Sequence, residues 1–267
     1  MMSSLLDLVY PKSCHVCGKY GEYLCNTCKK SFRKNLPECY ICRRISPNYC
    51  THAQCKKDYS LDRVVVAWEY NKISSKILKS YKYKGMQDIG RYISEFLLES
   101  IRNIDFNNSL FIPVPISFLR RSERGFNQTE LLVENISKHY KCHFSFDLIG
   151  RKIEKGHQSL KDRDSRLEET MSNFYIKDRS LLDKYNSVTI LDDVITTGST
   201  LENISKVIKK EADVSVNALC LFRGKPYYSP ASAGTVSTTG VVSSVGSSVV
   251  SSSFTSPSAS SFANSFN

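Results

Sequence analysis

The stretch Val188-Thr-Ile-Leu-Asp192-Asp193-Val194-Ile195-Thr196-Thr197-Gly198-Ser199-Thr200 joins four apolar residues to two acids and then to a turn rich in hydroxyls. The apolar run has the character of a buried strand. A Thr/Gly/Ser turn that opens a helix presents main-chain N–H groups and hydroxyls to an anion, as a phosphate cradle does. The Walker A loop works the same way but carries a Lys before its Ser/Thr, and none stands there in this chain. Two carboxylates beside a phosphate would repel it unless they address another group, and adjacent ribose hydroxyls suit them. Asp192 and Asp193 are therefore expected to accept from the 2′- and 3′-OH while Thr196, Thr197, Gly198, Ser199 and Thr200 hold a 5′-phosphate. A ligand-free helix-capping turn and a receiver-like acidic pocket are the alternatives, and neither calls for the full cradle.

A second run, Phe111-Ile-Pro113-Val114-Pro115-Ile116, precedes Arg120, Arg121 and Arg124. Two prolines after a strand fix an unusual backbone. Guanidinium forks suit an oligophosphate, although a basic helix start is as often a solvated surface. No Ser-His-Asp or Cys-His arrangement for a nucleophilic mechanism is legible.

Eight of the ten cysteines lie between Cys14 and Cys55. They run Cys14-x2-Cys17-x7-Cys25-x2-Cys28, then Cys39-x2-Cys42-x7-Cys50-x4-Cys55, and the first three of each set recur at a shift of 25. Two CxxC pairs close a four-thiolate site with no open position, the pattern of structural zinc. In the second set the last pair is wider and encloses His52, so His52 or Cys55 is the candidate fourth ligand; reduced loop thiols are the alternative. A disulfide framework would need a secretory context. Leu5-Leu6-Asp7-Leu8-Val9 is too short and too polar for a signal sequence, and no apolar run approaches bilayer length. The expectation is a cytoplasmic protein with no membrane insertion.

Net charge is +11, of which residues 1–58 supply +6 from 10 Lys/Arg and 4 Asp/Glu. Each four-thiolate zinc carries about −2, so two sites would lower that to about +2. The basic excess thus offsets metal centres as readily as it attracts nucleic acid.

Three segments follow: a Cys-rich zinc-binding module over 1–58, an apolar-periodic domain over 59–228, and a tail over 229–267. The tail has no Asp, Glu, Lys or Arg, and Ser fills 15 of its 39 positions, a composition without a packed core. In the middle segment, Arg63–Trp68, Leu110–Val114, Val188–Leu191 and Val214–Phe222 read as strands. Helical faces are marked by Ile89, Ile93 and Leu97, by Leu132, Ile136 and Tyr140, and by Leu201, Ile204 and Ile208. That alternation predicts an α/β fold with a doubly wound, mostly parallel sheet, whose ligands bind beyond the carboxyl ends of the strands.

The 188–200 stretch resembles the ribose-phosphate signature of type I phosphoribosyltransferases. With the cysteine module, Lys82-Tyr83-Lys84-Gly85, the Pro-Val-Pro run and Arg124-Gly-Phe-Asn-Gln128, residues 5–225 resemble the competence protein F (ComF) family, which includes the GntX-type proteins. The resemblance implies a zinc finger joined to a phosphoribosyltransferase domain, with a role in uptake of transforming DNA. It implies binding of 5-phosphoribosyl 1-diphosphate (PRPP) with Mg²⁺ and phosphoribosyl transfer to an unidentified acceptor. By that likeness Pro113, Val114 and Pro115 form a pyrophosphate-side loop, Arg124 lies beside it with Asp192 and Asp193 as the catalytic set, and 151–170 supplies a closing lid. Arg166 fits a following Arg-x-x-Asn element, from which Glu168 departs. The alternative is a non-catalytic competence factor with a regulatory or vestigial PRPP site, whose partners are single-stranded DNA or other competence proteins.

Overall fold

A computed structural model describes residues 11–83, 87–106, 108–140, 142–152 and 173–225. The expected lid beyond Lys152, with Arg163 and Arg166, lies outside them, as do Lys84, Gly85 and the Ser-rich tail. The described residues all fall within one unit, Met1–Tyr227.

The elements of the sheet domain are β1 (Arg63–Glu69), α2 (Lys72–Tyr83), α3 (Gln87–Ile101), β2 (Ser109–Pro113), α4 (Phe118–Arg124), α5 (Gln128–Tyr140), β3 (Ile149–Arg151), β4 (Phe174–Ile176), β5 (Ser187–Ile195), α6 (Ser199–Glu211) and β6 (Ser215–Arg223); one short helix, α1 (Asn26–Lys30), precedes them. Strands β1, β6, β5 and β2 lie in that order, and every neighbouring pair is parallel. Strands β3 and β4 form a separate antiparallel pair.

The sheet is wound on both faces, as the near-continuous apolar strands require. On one side Ile93 and Leu97 of α3 and Leu132, Val133 and Ile136 of α5 pack with Val65, Phe111, Leu191 and Leu219. On the other, Leu201, Ile204 and Ile208 of α6 pack with Val64, Ile112, Ile190 and Ala218. The chain therefore leaves β2 toward one face and β5 toward the opposite face. Between two such adjacent strands the carboxyl ends open a crevice.

The strand expected to stop at Leu191 continues to Ile195. Strand β6 keeps pairing with it, Asp192 opposite Cys220 and Ile195 opposite Arg223. Pairing with β2 ends at Pro113 opposite Leu191, closed by the Val114 N–H donating to the Leu191 carbonyl at 3.0 Å. Asp192 and Asp193 are thus strand residues placed where β5 has outrun its neighbour β2.

The cysteine-rich segment packs on the sheet through aromatic contacts. Phe32 stands 5.7 Å from Trp68 and 5.9 Å from Phe222, and Trp68 stacks on Phe96 of α3 at 4.5 Å. Each such pair contributes about 0.5–1.5 kcal/mol beyond the area it buries.

Candidate functional site

The first knuckle brings Cys14, Cys17, Cys25 and Cys28 together, with their sulfur atoms all within 4.8 Å of one another. A turn closed by the Gly18 N–H on the Cys14 carbonyl, at 2.7 Å, sets the first pair; α1 carries Cys28. Burial opposes ionisation of Cys14, but main-chain donors from Cys25, Cys17 and Val16 outweigh it and bring its thiol down to about 6. Burial and the neighbouring thiols push Cys28 up. Four sulfur donors gathered this closely are the set a zinc ion completes.

The second group is Cys39, Cys42, His52 and Cys55, again within 4.8 Å. It departs from the expected set at Cys50, which is exposed and lies outside the group. The cause is backbone pairing: Cys50 bridges Arg63 at the start of β1, and that contact takes it out of the knuckle. His52 Nδ1 lies 3.3 Å from Cys42 Sγ in its place. The sequence carried the signal, since His52-x2-Cys55 keeps the two-residue spacing of Cys25-x2-Cys28. The Arg44 side chain, then its main-chain N–H, brings the Cys42 thiol down to about 6. Both groups can hold zinc, each with four protein donors.

At the end of β5, Gly198 caps α6 in the left-handed region (φ 90°) without a capping side chain. The first amides of α6 have no helical acceptor; the Ser199 N–H reaches the Thr197 hydroxyl at 3.4 Å, and an anion at this turn can take up those that follow. Thr196, Thr197, Ser199 and Thr200 are exposed, and a shallow recess is lined by Asp192 and Val194–Leu201. Burial, then the neighbouring charge of Asp193, pushes the Asp192 carboxyl up to about 8, against the opposing pull of Lys82.

Asp193 lies on the other face of the strand and is only 6% exposed. Its Oδ2 accepts from Lys82 Nζ of α2 at 2.5 Å and from Gln128 Nε2 of α5 at 3.1 Å. Arg124 Nη1 in turn donates to Gln128 Oε1 at 3.1 Å, and the Tyr81 hydroxyl donates to the Gln128 carbonyl at 2.5 Å. Arg124 therefore reaches the acidic pair through Gln128, within a chain of polar contacts running to Lys82.

The Pro113–Ile116 loop is held by the Asn127 region. Asn127 Nδ2 and Thr129 Oγ1 both donate to the Val114 carbonyl, at 3.1 and 3.2 Å, and the Thr129 N–H donates to Asn127 Oδ1 at 3.2 Å. Gly125, in the left-handed region at φ 77°, ends α4 and lets the chain turn directly into α5. Of the three arginines after the loop, Arg121 is engaged with Glu130 at 2.7 and 3.2 Å.

Five residues of this neighbourhood were absent from the expected site: Lys82, Asn127 and Gln128, which belonged to quoted motifs without a role, and Tyr40 and Arg43. The last two belong to the second knuckle, and no spacing in the sequence ties them to the turn. Tyr40 Oη donates to Glu202 Oε1 at 2.8 Å, and Arg43 Nη2 donates to the Thr196 carbonyl at 3.2 Å.

Strand order, the acidic end of β5 and the Gly198 turn at the crevice define an α/β protein with a four-stranded parallel sheet, preceded by a Cys-rich module. Competence protein F of Haemophilus influenzae is 30% identical over 197 residues, covering 70% of this chain and 84% of the relative. Competence protein ComFC of Streptococcus pneumoniae is 27% identical over 225 residues, covering 83% and 93%. The DNA utilization protein YhgH of Escherichia coli is 25% identical over 231 residues, covering 81% and 99%. The chain belongs to the competence protein F (ComF) family. No family model matches it.

Among solved structures, adenine phosphoribosyltransferase from Leishmania donovani aligns with a TM-score of 0.34 at 13% identity, over 74% of this chain and 78% of that one. A hypoxanthine phosphoribosyltransferase from Staphylococcus aureus aligns with 0.29 at 12%, over 53% and 75%.

Proposed function

We propose that the chain binds PRPP as its Mg²⁺ complex in the crevice between β2 and β5 and transfers the phosphoribosyl group to an acceptor in the service of DNA uptake. The observation that carries this reading is the placement of Asp192 in the same open recess as the Gly198-capped turn. A pentose 5-phosphate needs a hydroxyl acceptor and an amide-lined anion cradle on one short stretch of backbone, and β5 with the start of α6 provides both.

In this reading the amides and hydroxyls of Thr196–Thr200 hold the 5′-phosphate, and Asp192 takes the ribose hydroxyls. Asp193, fixed by Lys82 and Gln128, supports its neighbour from the other face of the strand. The Pro113–Pro115 loop, pinned by Asn127, receives the pyrophosphate, with Arg124 on its flank. As pyrophosphate departs, positive charge develops on the ribose, so no protein nucleophile is needed. Mg²⁺, when bound with PRPP, supplies charge to the leaving group.

The two cysteine-rich groups take zinc as a structural ion. Among the described residues no helix is long and apolar enough to cross a membrane, and we place the protein in the cytoplasm, where the thiols stay reduced and metal-bound.

Titration calorimetry with PRPP and ribose 5-phosphate in Mg²⁺ tests the reading. Binding by wild type that is lost in Asp192→Asn supports it, and no binding by wild type overturns it. The locked state of Asp193 favours a second reading, in which a PRPP site regulates a DNA- or protein-binding factor. Incubation with PRPP and candidate bases separates the two, because only the enzyme releases pyrophosphate. Single-strand affinity that falls steeply with salt and ignores Asp192→Asn would favour the regulatory reading.

A further inference from the structure

We infer that the second knuckle is the positioning device of the phosphate turn: Tyr40 and Arg43 fix the backbone of Thr196–Gly198 so that its amides face a phosphorylated sugar. The inference rests on the proposed ligand and assigns two residues outside the ribose-phosphate signature to its control.

Arg43 grips the end of the sheet at two carbonyls, Thr196 at 3.2 Å and Gly224 at 3.0 Å. In a planar trans peptide the C=O and the next N–H point opposite ways. Holding the Thr196 carbonyl from the knuckle side therefore aims the Thr197 N–H away from Arg43. Tyr40 closes the other flank: a Cβ on Gly198 would meet its ring at 3.0 Å. Its hydroxyl also binds Glu202, the acid in the first turn of α6, at 2.8 Å. A free carboxylate there would oppose an incoming phosphate.

Comparison of the two knuckles gives an independent reason. Each closes with an N–H donating to the carbonyl of its first cysteine: Gly18 to Cys14 at 2.7 Å, Arg43 to Cys39 at 2.9 Å. Both closing residues are left-handed, Gly18 at φ 79° and Arg43 at φ 58°. Glycine adopts that conformation freely, whereas arginine does so only against steric resistance. The second knuckle keeps an arginine in the strained position, and the guanidinium it carries is the one that reaches Thr196. A purely structural knuckle would have no use for it.

The test is Arg43→Gly in the full chain, which removes the guanidinium and the backbone strain together. Ribose 5-phosphate binding should weaken about tenfold, the effect of losing one hydrogen bond's worth of positioning. Zinc content should stay at the wild-type level, and pyrophosphate, expected at the Pro113–Pro115 loop, should bind as before. Tyr40→Phe, which keeps the ring, should weaken ribose 5-phosphate less than Tyr40→Ala. Wild-type affinity for ribose 5-phosphate in Arg43→Gly overturns the inference, as does an equal loss of both ligands with loss of zinc. Should wild type bind neither ligand, the functional reading fails, and hydrogen exchange then decides the positioning role separately. Faster exchange at the first turn of α6 in Arg43→Gly supports it, and unchanged exchange refutes it.

Discussion

Lys82 Nζ sits 2.5 Å from Asp193 Oδ2, an ammonium from α2 closing on a carboxylate of β5 that is otherwise nearly sealed from solvent. The Gln128 amide shares that Oδ2 with the cation, donating to it at 3.1 Å. The neighbouring Asp192 accepts the Asp193 main-chain N–H at 2.8 Å, yet burial and the nearby Asp193 carboxylate push its carboxyl up to about 8.

Replacing Lys82 with Met should destabilise the protein by about 2–4 kcal/mol, because the Asp193 charge is left uncompensated. The partial exposure of the lysine keeps the loss toward the lower end. Denaturant unfolding checks it. The double variant Lys82→Met/Asp193→Asn should recover most of the loss, and failure to recover would mean that Lys82 acts through other contacts.

Asp192→Asn should change how stability depends on pH. A carboxyl raised to about 8 in the folded state binds a proton that the unfolded chain, at its ordinary 3.8, has already lost. Stability contributed by this group is therefore present at low pH and lost as pH rises from about 4 through 8. The asparagine variant lacks that loss, so its melting temperature relative to wild type should rise between pH 5 and pH 8.5. Each kcal/mol of difference corresponds to about 2–4 °C in a chain of this size. A constant offset across that range would contradict the assignment.

Zinc analysis should separate the ligands of the second knuckle. Cys50→Ser should retain the wild-type metal content, whereas His52→Ala and Cys55→Ser should each lower it by about one ion per chain, as four-coordinate structural zinc requires. Loss of metal in Cys50→Ser would restore the all-cysteine set.

Asn127→Ala removes the amide that binds Val114 and the cap on the Thr129 N–H. A stability loss of about 1–3 kcal/mol is expected. Pyrophosphate should bind more weakly than to wild type while ribose 5-phosphate is less affected. Equal weakening of both would indicate a general loss of structure.

The sequence made the sheet and the turn legible because both are local. Apolar runs marked β1, β2, β5 and β6, and the Asp-Asp to Thr-Gly stretch lies on contiguous residues. The run of β5 past Leu191 was not legible, since it depends on how far β6 continues alongside and on Pro113 ending β2. Cys50 followed the repeat of 25 in sequence but not in space, because pairing with Arg63 took precedence over the duplication. Lys82, Tyr40 and Arg43 lie more than 100 residues before their partners at 193, 202 and 196, and no local pattern encodes contacts of that span.

Phe32 packs on both Trp68 and Phe222, which also touch each other, so the small metal-binding lobe covers one corner of the larger one. A fragment beginning near residue 59 would bare two large rings to water and would tend to clump through them. Assays of the sugar-phosphate half consequently belong on the intact polypeptide, where that corner stays dry.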